Sequence, residues 1–88
     1  MTELDEHFIS ELRLELARAR EKFPSANLSM IALTEEVGEL AQALLKHRAG
    51  KWERTRIFAE AIQVAAMALR VALEPDDSMK TSYTEPEM

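Results

Sequence analysis

The sequence predicts an all-α fold, a three-helix protomer that assembles into an oligomeric helical bundle. Three observations carry that prediction. Apolar residues recur at three- and four-residue spacing, and no stretch alternates at the two-residue period of a strand. Helix breakers are few and clustered: Phe23-Pro24-Ser25, Ala49-Gly50-Lys51 and Glu74-Pro75-Asp76-Asp77 divide the chain into three segments and a tail. Chain length supplies the third. A chain of 88 residues without cysteine builds only a small core and has no disulfide to reinforce it. A bound metal or a partner subunit is the expected reinforcement.

Helix one is expected from about residue 3 to 22. Thr2 and Asp5 fit a capping box, and Glu3, Asp5 and Glu6 suit the positive end of a helix. Leu4, Phe8, Leu12 and Leu16, with Ile9, form its apolar stripe, and Arg18, Arg20 and Lys22 close it. Helix two is expected from about 28 to 48, capped by Asn27 or Ser25. Its predicted buried face is Met30, Leu33, Val37, Leu40, Ala41 and Leu44. Lys46, His47 and Arg48 followed by Gly50 mark its end.

Helix three is expected from about 52 to 74, opened by Trp52 and stopped by Pro75. Between Ile57 and Leu73 only Glu60, Gln63 and Arg70 are polar. At about 100° per residue these share one stripe with Glu53, Arg56 and Glu74, and the rest of the surface is apolar and alanine-rich. Such a helix needs cover on most sides, which predicts a homo-oligomer, dimer or tetramer, built on this helix. Residues 1–74 thus read as one domain. Residues 75–88 are polar and aperiodic and read as a flexible tail.

Charge and composition exclude several functions. A formal net charge of -5 argues against binding nucleic-acid polymers through phosphate contacts. No apolar run approaches the roughly 18–20 residues of a membrane span. The acidic start has the wrong sign for a signal or transit peptide, so the cytoplasm is the expected location. Without cysteine, thiol catalysis is out.

The chemistry concentrates in Thr34-Glu35-Glu36-Val37-Gly38-Glu39-Leu40. Glu36 and Glu39 are three apart and Glu35 and Glu39 four apart, so like charges crowd one side of helix two and repel. Open water tolerates that, and so does a hard cation such as Mg²⁺, which takes oxygen ligands and keeps waters elsewhere. By itself Glu-Glu-x-x-Glu is common on solvated helix faces. The pointer to a metal is the pairing: an otherwise apolar helix three keeps Glu60, with Gln63 one turn on, where a neighbouring helix about 8–10 Å away could share an ion. Gly38 implies close approach of a helix or ligand.

The stretch Leu33-Thr34-Glu35-Glu36-Val37-Gly38-Glu39-Leu40-Ala41 resembles the first signature of the all-α, MazG-like nucleoside triphosphate pyrophosphohydrolases. Their second signature, Glu-x-x-Asp, has its counterpart in Ala59-Glu60-Ala61-Ile62-Gln63-Val64, with Gln63 where the family carries aspartate. The resemblance spans roughly residues 28–73. It implies that Glu36, Glu39, Glu60 and Gln63 hold Mg²⁺ (or Mn²⁺), with Glu36 and Glu39 catalytic through that ion. Glu35 would be a further ligand or orient or activate water. A nucleoside triphosphate would be split between its α and β phosphates into a monophosphate and pyrophosphate.

Gln63 removes one negative charge from that set. A catalytically inactive relative that binds nucleotide or protein therefore stays open, as does a purely structural oligomerisation module. Lys46, Lys51, Trp52 and Arg56 are candidate substrate contacts: the cations for phosphates, the indole for a base. Helix-end charge compensation and packing of Trp52 are the plainer alternatives. Met30 and Met67 read as core.

Overall fold

A computed structural model describes residues 1–27 and 29–74. It contains helices α1 (Glu3–Lys22), α2 (Ser29–Arg48) and α3 (Arg54–Leu73) and, among the described residues, no strand. Leu28 as the start of helix two, Pro75 as the stop of helix three, and the tail at 75–88 lie outside the described residues.

Local chemistry sets the ends. The Thr2 hydroxyl accepts the Asp5 amide at 3.1 Å and the Asp5 carboxylate accepts the Thr2 amide at 2.9 Å, the reciprocal capping box. Gly50 closes α2 with φ 74°. Its N–H donates to the His47 carbonyl, and the Lys51 N–H to the Lys46 carbonyl, both at 2.9 Å. That pairing satisfies two orphan carbonyls and needs a residue at ease in the left-handed region. Ser25 caps its own loop rather than a helix: its hydroxyl accepts the Asn27 amide at 3.2 Å. Helix three starts two residues later than expected. Lys51 and Trp52 form a bend, Glu53 is the N-cap residue, and the Trp52 carbonyl lies 3.0 Å from His47 Nδ1. The connection spends those residues turning the chain back.

Helix α3 is the centre. Both α1 and α2 pack on it, and among the described residues they do not pack on each other. At one end Phe58 of α3 meets Phe8 edge-on and stacks on His7, with centroids 5.4 and 5.3 Å away. At the other end Arg70 of α3 reaches the last carbonyls of α1. Helix α1 therefore runs parallel to α3, and α2 returns antiparallel between them in sequence. No helix among the described residues is long and apolar enough to cross a membrane.

One expectation about faces is corrected. On α2, only Leu33 and Leu40 of the predicted buried face are even half-buried. Met30, Val37, Ala41 and Leu44 are exposed. The face that meets α3 is turned by roughly 80° and carries Ser29, Leu33, Glu36, Leu40 and Ala43. Ala43 is completely buried, and its small side chain lets the helices come close. The apolar arc of α2 is simply wider than one partner can cover.

The polar stripe of α3 turns inward as it runs along the helix. Arg56 is exposed, Glu60 and Gln63 are half-buried, and Arg70 is only 2% exposed. Among the described residues the buried hydrophobic ones are Ala26, Ala43, Ile62 and Ala66, a modest core for a domain of this length.

Candidate functional site

The antiparallel packing of α2 on α3 decides which carboxylates meet. Glu36 and Glu39 stand one turn apart on α2, and Glu60 comes from the facing turn of α3. One carboxylate oxygen from each lies within 4.8 Å of the other two. Glu36 and Glu60 are half-buried and Glu39 is exposed. Among the described residues no other group of three histidine, aspartate or glutamate side chains gathers this way.

Glu36 is the most perturbed of the three. Burial raises its pKa most. A shared proton with Glu39 raises it further, and so do the charges of Glu39, Glu60 and Glu35, to about 7 from the ordinary 4.5. Its Oε2 is buried and has no hydrogen-bond partner. A buried acceptor of that kind costs free energy unless a cation or a proton satisfies it. Glu35 is exposed and outside the trio, close enough to repel Glu36 but contributing no oxygen to the cluster.

A cavity of about 560 Å³ opens beside the trio, in the gap that α1 and α2 leave over α3. Glu36 and Gln63 form its wall on the cluster side. Phe23, Ser29, Met67 and Arg70 line the remainder, with Arg18 and Lys22 at the end of α1. Gln63 thus lines the cavity together with Glu36, a member of the trio. Met67, expected as core, is a cavity wall. The α1 end and the 23–27 loop carried no sequence signal for a site, because Arg18 and Lys22 read as ordinary helix-end cations.

The other candidates gather elsewhere. Lys51, Trp52 and Arg56 line a second, shallower cavity of about 440 Å³ at the start of α3. The Arg56 guanidinium stacks over the Trp52 ring at 4.5 Å, and its Nε lies 3.9 Å from Glu60 Oε1. Arg56 is therefore a bridge between this cavity and the trio. The Lys46 side chain lines neither cavity, and the Lys46 carbonyl accepts the amides that close α2. No family model matches the chain, and comparisons with curated proteins and with solved structures gave no match.

The arrangement is chemically competent for two things. Three hard oxygen donors from two helices suit a divalent cation such as Mg²⁺, and Glu36 can carry a proton near neutral pH. The proton has a consequence for stability. Because its folded pKa lies above its unfolded value, Glu36 stabilises the metal-free fold fully below about pH 4.5. That contribution is lost as pH rises through 7. The shift corresponds to about 3 kcal/mol at most, which water around the half-buried cluster reduces to about 1–2 kcal/mol. In chelator, the wild-type Tm is expected to fall by roughly 5–10 °C between pH 5 and 8. Glu36→Gln should flatten that dependence. Parallel calorimetric curves for the two proteins would assign the titration to another group.

Proposed function

We propose that this chain is a Mg²⁺-dependent nucleoside triphosphate pyrophosphohydrolase of the MazG-like kind, converting a ribo- or deoxynucleoside triphosphate to the monophosphate and pyrophosphate. The observation that carries the reading is the convergence of Glu36, Glu39 and Glu60, from two helices, with one buried carboxylate oxygen left unpartnered. Mg²⁺, or Mn²⁺ in its place, would be held by these three carboxylates, with the Gln63 amide oxygen as a further neutral donor. When bound, such a cation neutralises phosphate charge and lowers the pKa of its water.

The remaining roles fall to the chain's own groups. The larger cavity shares Glu36 and Gln63 with the trio and is of a size that takes a nucleoside. Arg56, beside Glu60, supplies positive charge for the phosphates, and Lys51 and Trp52 extend that edge. Glu35 orients the attacking water or adds a ligand. Glu36 accepts a proton at neutral pH. The test is pyrophosphate release from a panel of nucleoside triphosphates with Mg²⁺ or Mn²⁺ and with chelator. Metal-dependent release supports the reading, and none from any nucleotide by the folded protein rejects it.

One observation favours a second reading. Gln63 contributes no charge where the resemblance leads one to expect aspartate. A chain that binds nucleotide without splitting it would fit that loss. Gln63→Asp is then expected to tighten calorimetric Mg²⁺ binding about tenfold in a protein whose wild type shows no turnover. Unchanged Mg²⁺ affinity would count against Gln63 as a member of the cation site.

A further inference from the structure

Where the chain enters α3, Trp52, Arg56 and Glu60 follow one another at four-residue spacing and form a line of contacts. The Arg56 guanidinium lies over the indole at 4.5 Å, and its Nε is 3.9 Å from Glu60 Oε1. That ion pair is loose. A charged N–H···O bond closes at about 2.7–2.9 Å, and among the described residues the Arg56 guanidinium makes no hydrogen bond, unlike those of Arg18, Arg20 and Arg70. The Arg56 side chain is 57% exposed and that of Glu60 19%, so the arginine is the end of the pair with room to move. Stacking on a ring leaves the in-plane N–H groups of a guanidinium open to an anion.

We propose that Arg56 is the counter-ion of Glu60 in the empty site, and that this arginine and a divalent cation compete for the carboxylate. The competition presupposes the cation-binding role proposed above for the trio. Glu60 belongs both to the trio and to the pair with Arg56. Two cations beside one carboxylate repel each other, so Arg56 gives up Glu60 when the cation is bound. The guanidinium keeps the indole as its support and turns its N–H fork to phosphate oxygens. Arg56 therefore opposes a bare cation and favours one that arrives with a phosphate chain. The form of substrate this selects is the metal–triphosphate complex, rather than a free nucleotide meeting a site already loaded with metal.

Trp52 is anchored for this work. Its amide donates to the Lys46 carbonyl at 3.4 Å and its carbonyl lies 3.0 Å from His47 Nδ1, so the end of α2 holds it from both sides. One face of the indole, a candidate contact for a base, is taken by the guanidinium. Among the described residues no other lysine or arginine forms an ion pair with Glu36, Glu39 or Glu60, which singles out Arg56 as the competing charge.

Calorimetric titration of the full chain with Mg²⁺ alone, without nucleotide, tests the competition with no turnover involved. Arg56→Gln is expected to bind Mg²⁺ about fivefold tighter than wild type. Arg54→Gln removes the same charge from an exposed side chain that lines neither cavity and should match wild type. A damaged site would bind Mg²⁺ more weakly, so a merely structural role of Arg56 moves the affinity the other way. Trp52 is the chain's one tryptophan. Its emission should shift as Mg²⁺ binds to wild type and stay level in Arg56→Gln. Unchanged or weaker Mg²⁺ binding by Arg56→Gln overturns the competition and leaves the cation site standing. So does equal tightening in Arg54→Gln, or wild-type emission that holds still while Mg²⁺ binds. Absence of Mg²⁺ binding by wild type and Arg56→Gln alike rejects the cation site itself, and the competition with it.

Discussion

Glu39→Ala is expected to lower metal-dependent pyrophosphate release by at least a hundredfold while the Tm stays level or rises. The two halves of that result have different origins. Glu39 is exposed and contacts Glu36 and Glu60 rather than the core, so its removal opens no cavity. Alanine is the better helix former, and the loss of one charge relieves repulsion in the trio. The same loss removes one of the three oxygen donors that would hold and position the cation against the phosphates. Glu21→Ala, an exposed carboxylate on α1 that lines neither cavity, should leave turnover unchanged. Full turnover in Glu39→Ala, together with full turnover in Glu36→Ala, would remove the trio from catalysis.

Much of the fold is legible because its signals are local. The capping box at Thr2 and Asp5 and the glycine at position 50 each act within a turn of the residue that carries them. The meeting of Glu60 with Glu36 and Glu39 is legible for another reason. An isolated carboxylate on an apolar helix must face something polar, and two helices joined by a short turn pack antiparallel.

Packing faces are less legible. The apolar arc of α2 is wide enough for two partners, and the sequence alone does not rank them. The structure gives α3 the alanine side and leaves Met30, Val37 and Leu44 outside. The cavity beside Glu36 has no sequence signature at all. It arises because α1 and α2 both pack on α3 and, among the described residues, not on each other, a property of the arrangement rather than of any segment.

Arg70 is the clearest case of a residue whose environment inverts its sequence reading, and it carries the largest stability effect. On sequence it belongs to a polar stripe and could pair with a carboxylate or a phosphate. In the fold it is the largest fully buried side chain among the described residues. Its Nε donates to Glu74 at 3.0 Å, and its two terminal nitrogens donate to the Phe23 carbonyl at 2.7 Å and the Ala19 carbonyl at 3.5 Å. Arg20 donates to the other oxygen of Glu74 at 3.0 Å. Burial raises the Glu74 pKa, but the hydrogen bonds from Arg20 and Arg70 outweigh it and hold the carboxyl below its ordinary value.

One guanidinium therefore satisfies the carbonyl end of α1 and ties it to α3, where no other side chain donates to those carbonyls among the described residues. Arg70→Met keeps much of the volume and removes every donor. It takes the donors from the Phe23 carbonyl and from one oxygen of Glu74, while the Ala19 carbonyl keeps the Phe23 amide at 2.7 Å, and the expected cost is about 2 kcal/mol. For a domain of this size that is a fall of roughly 8–16 °C in Tm.

Arg20→Met, at a side chain 46% exposed, should cost less than about 1 kcal/mol. The contrast separates a buried clasp from a surface ion pair that shares the same glutamate. Arg70→Lys retains the charge without the planar fork and is expected to fall between them. A Tm for Arg70→Met within about 3 °C of wild type would mean that desolvating the guanidinium offsets all it gains from these bonds, as some buried ion pairs do. The clasp would then fix where α1 ends over the cavity without adding net stability, and Arg70→Met would alter nucleotide affinity more than Tm.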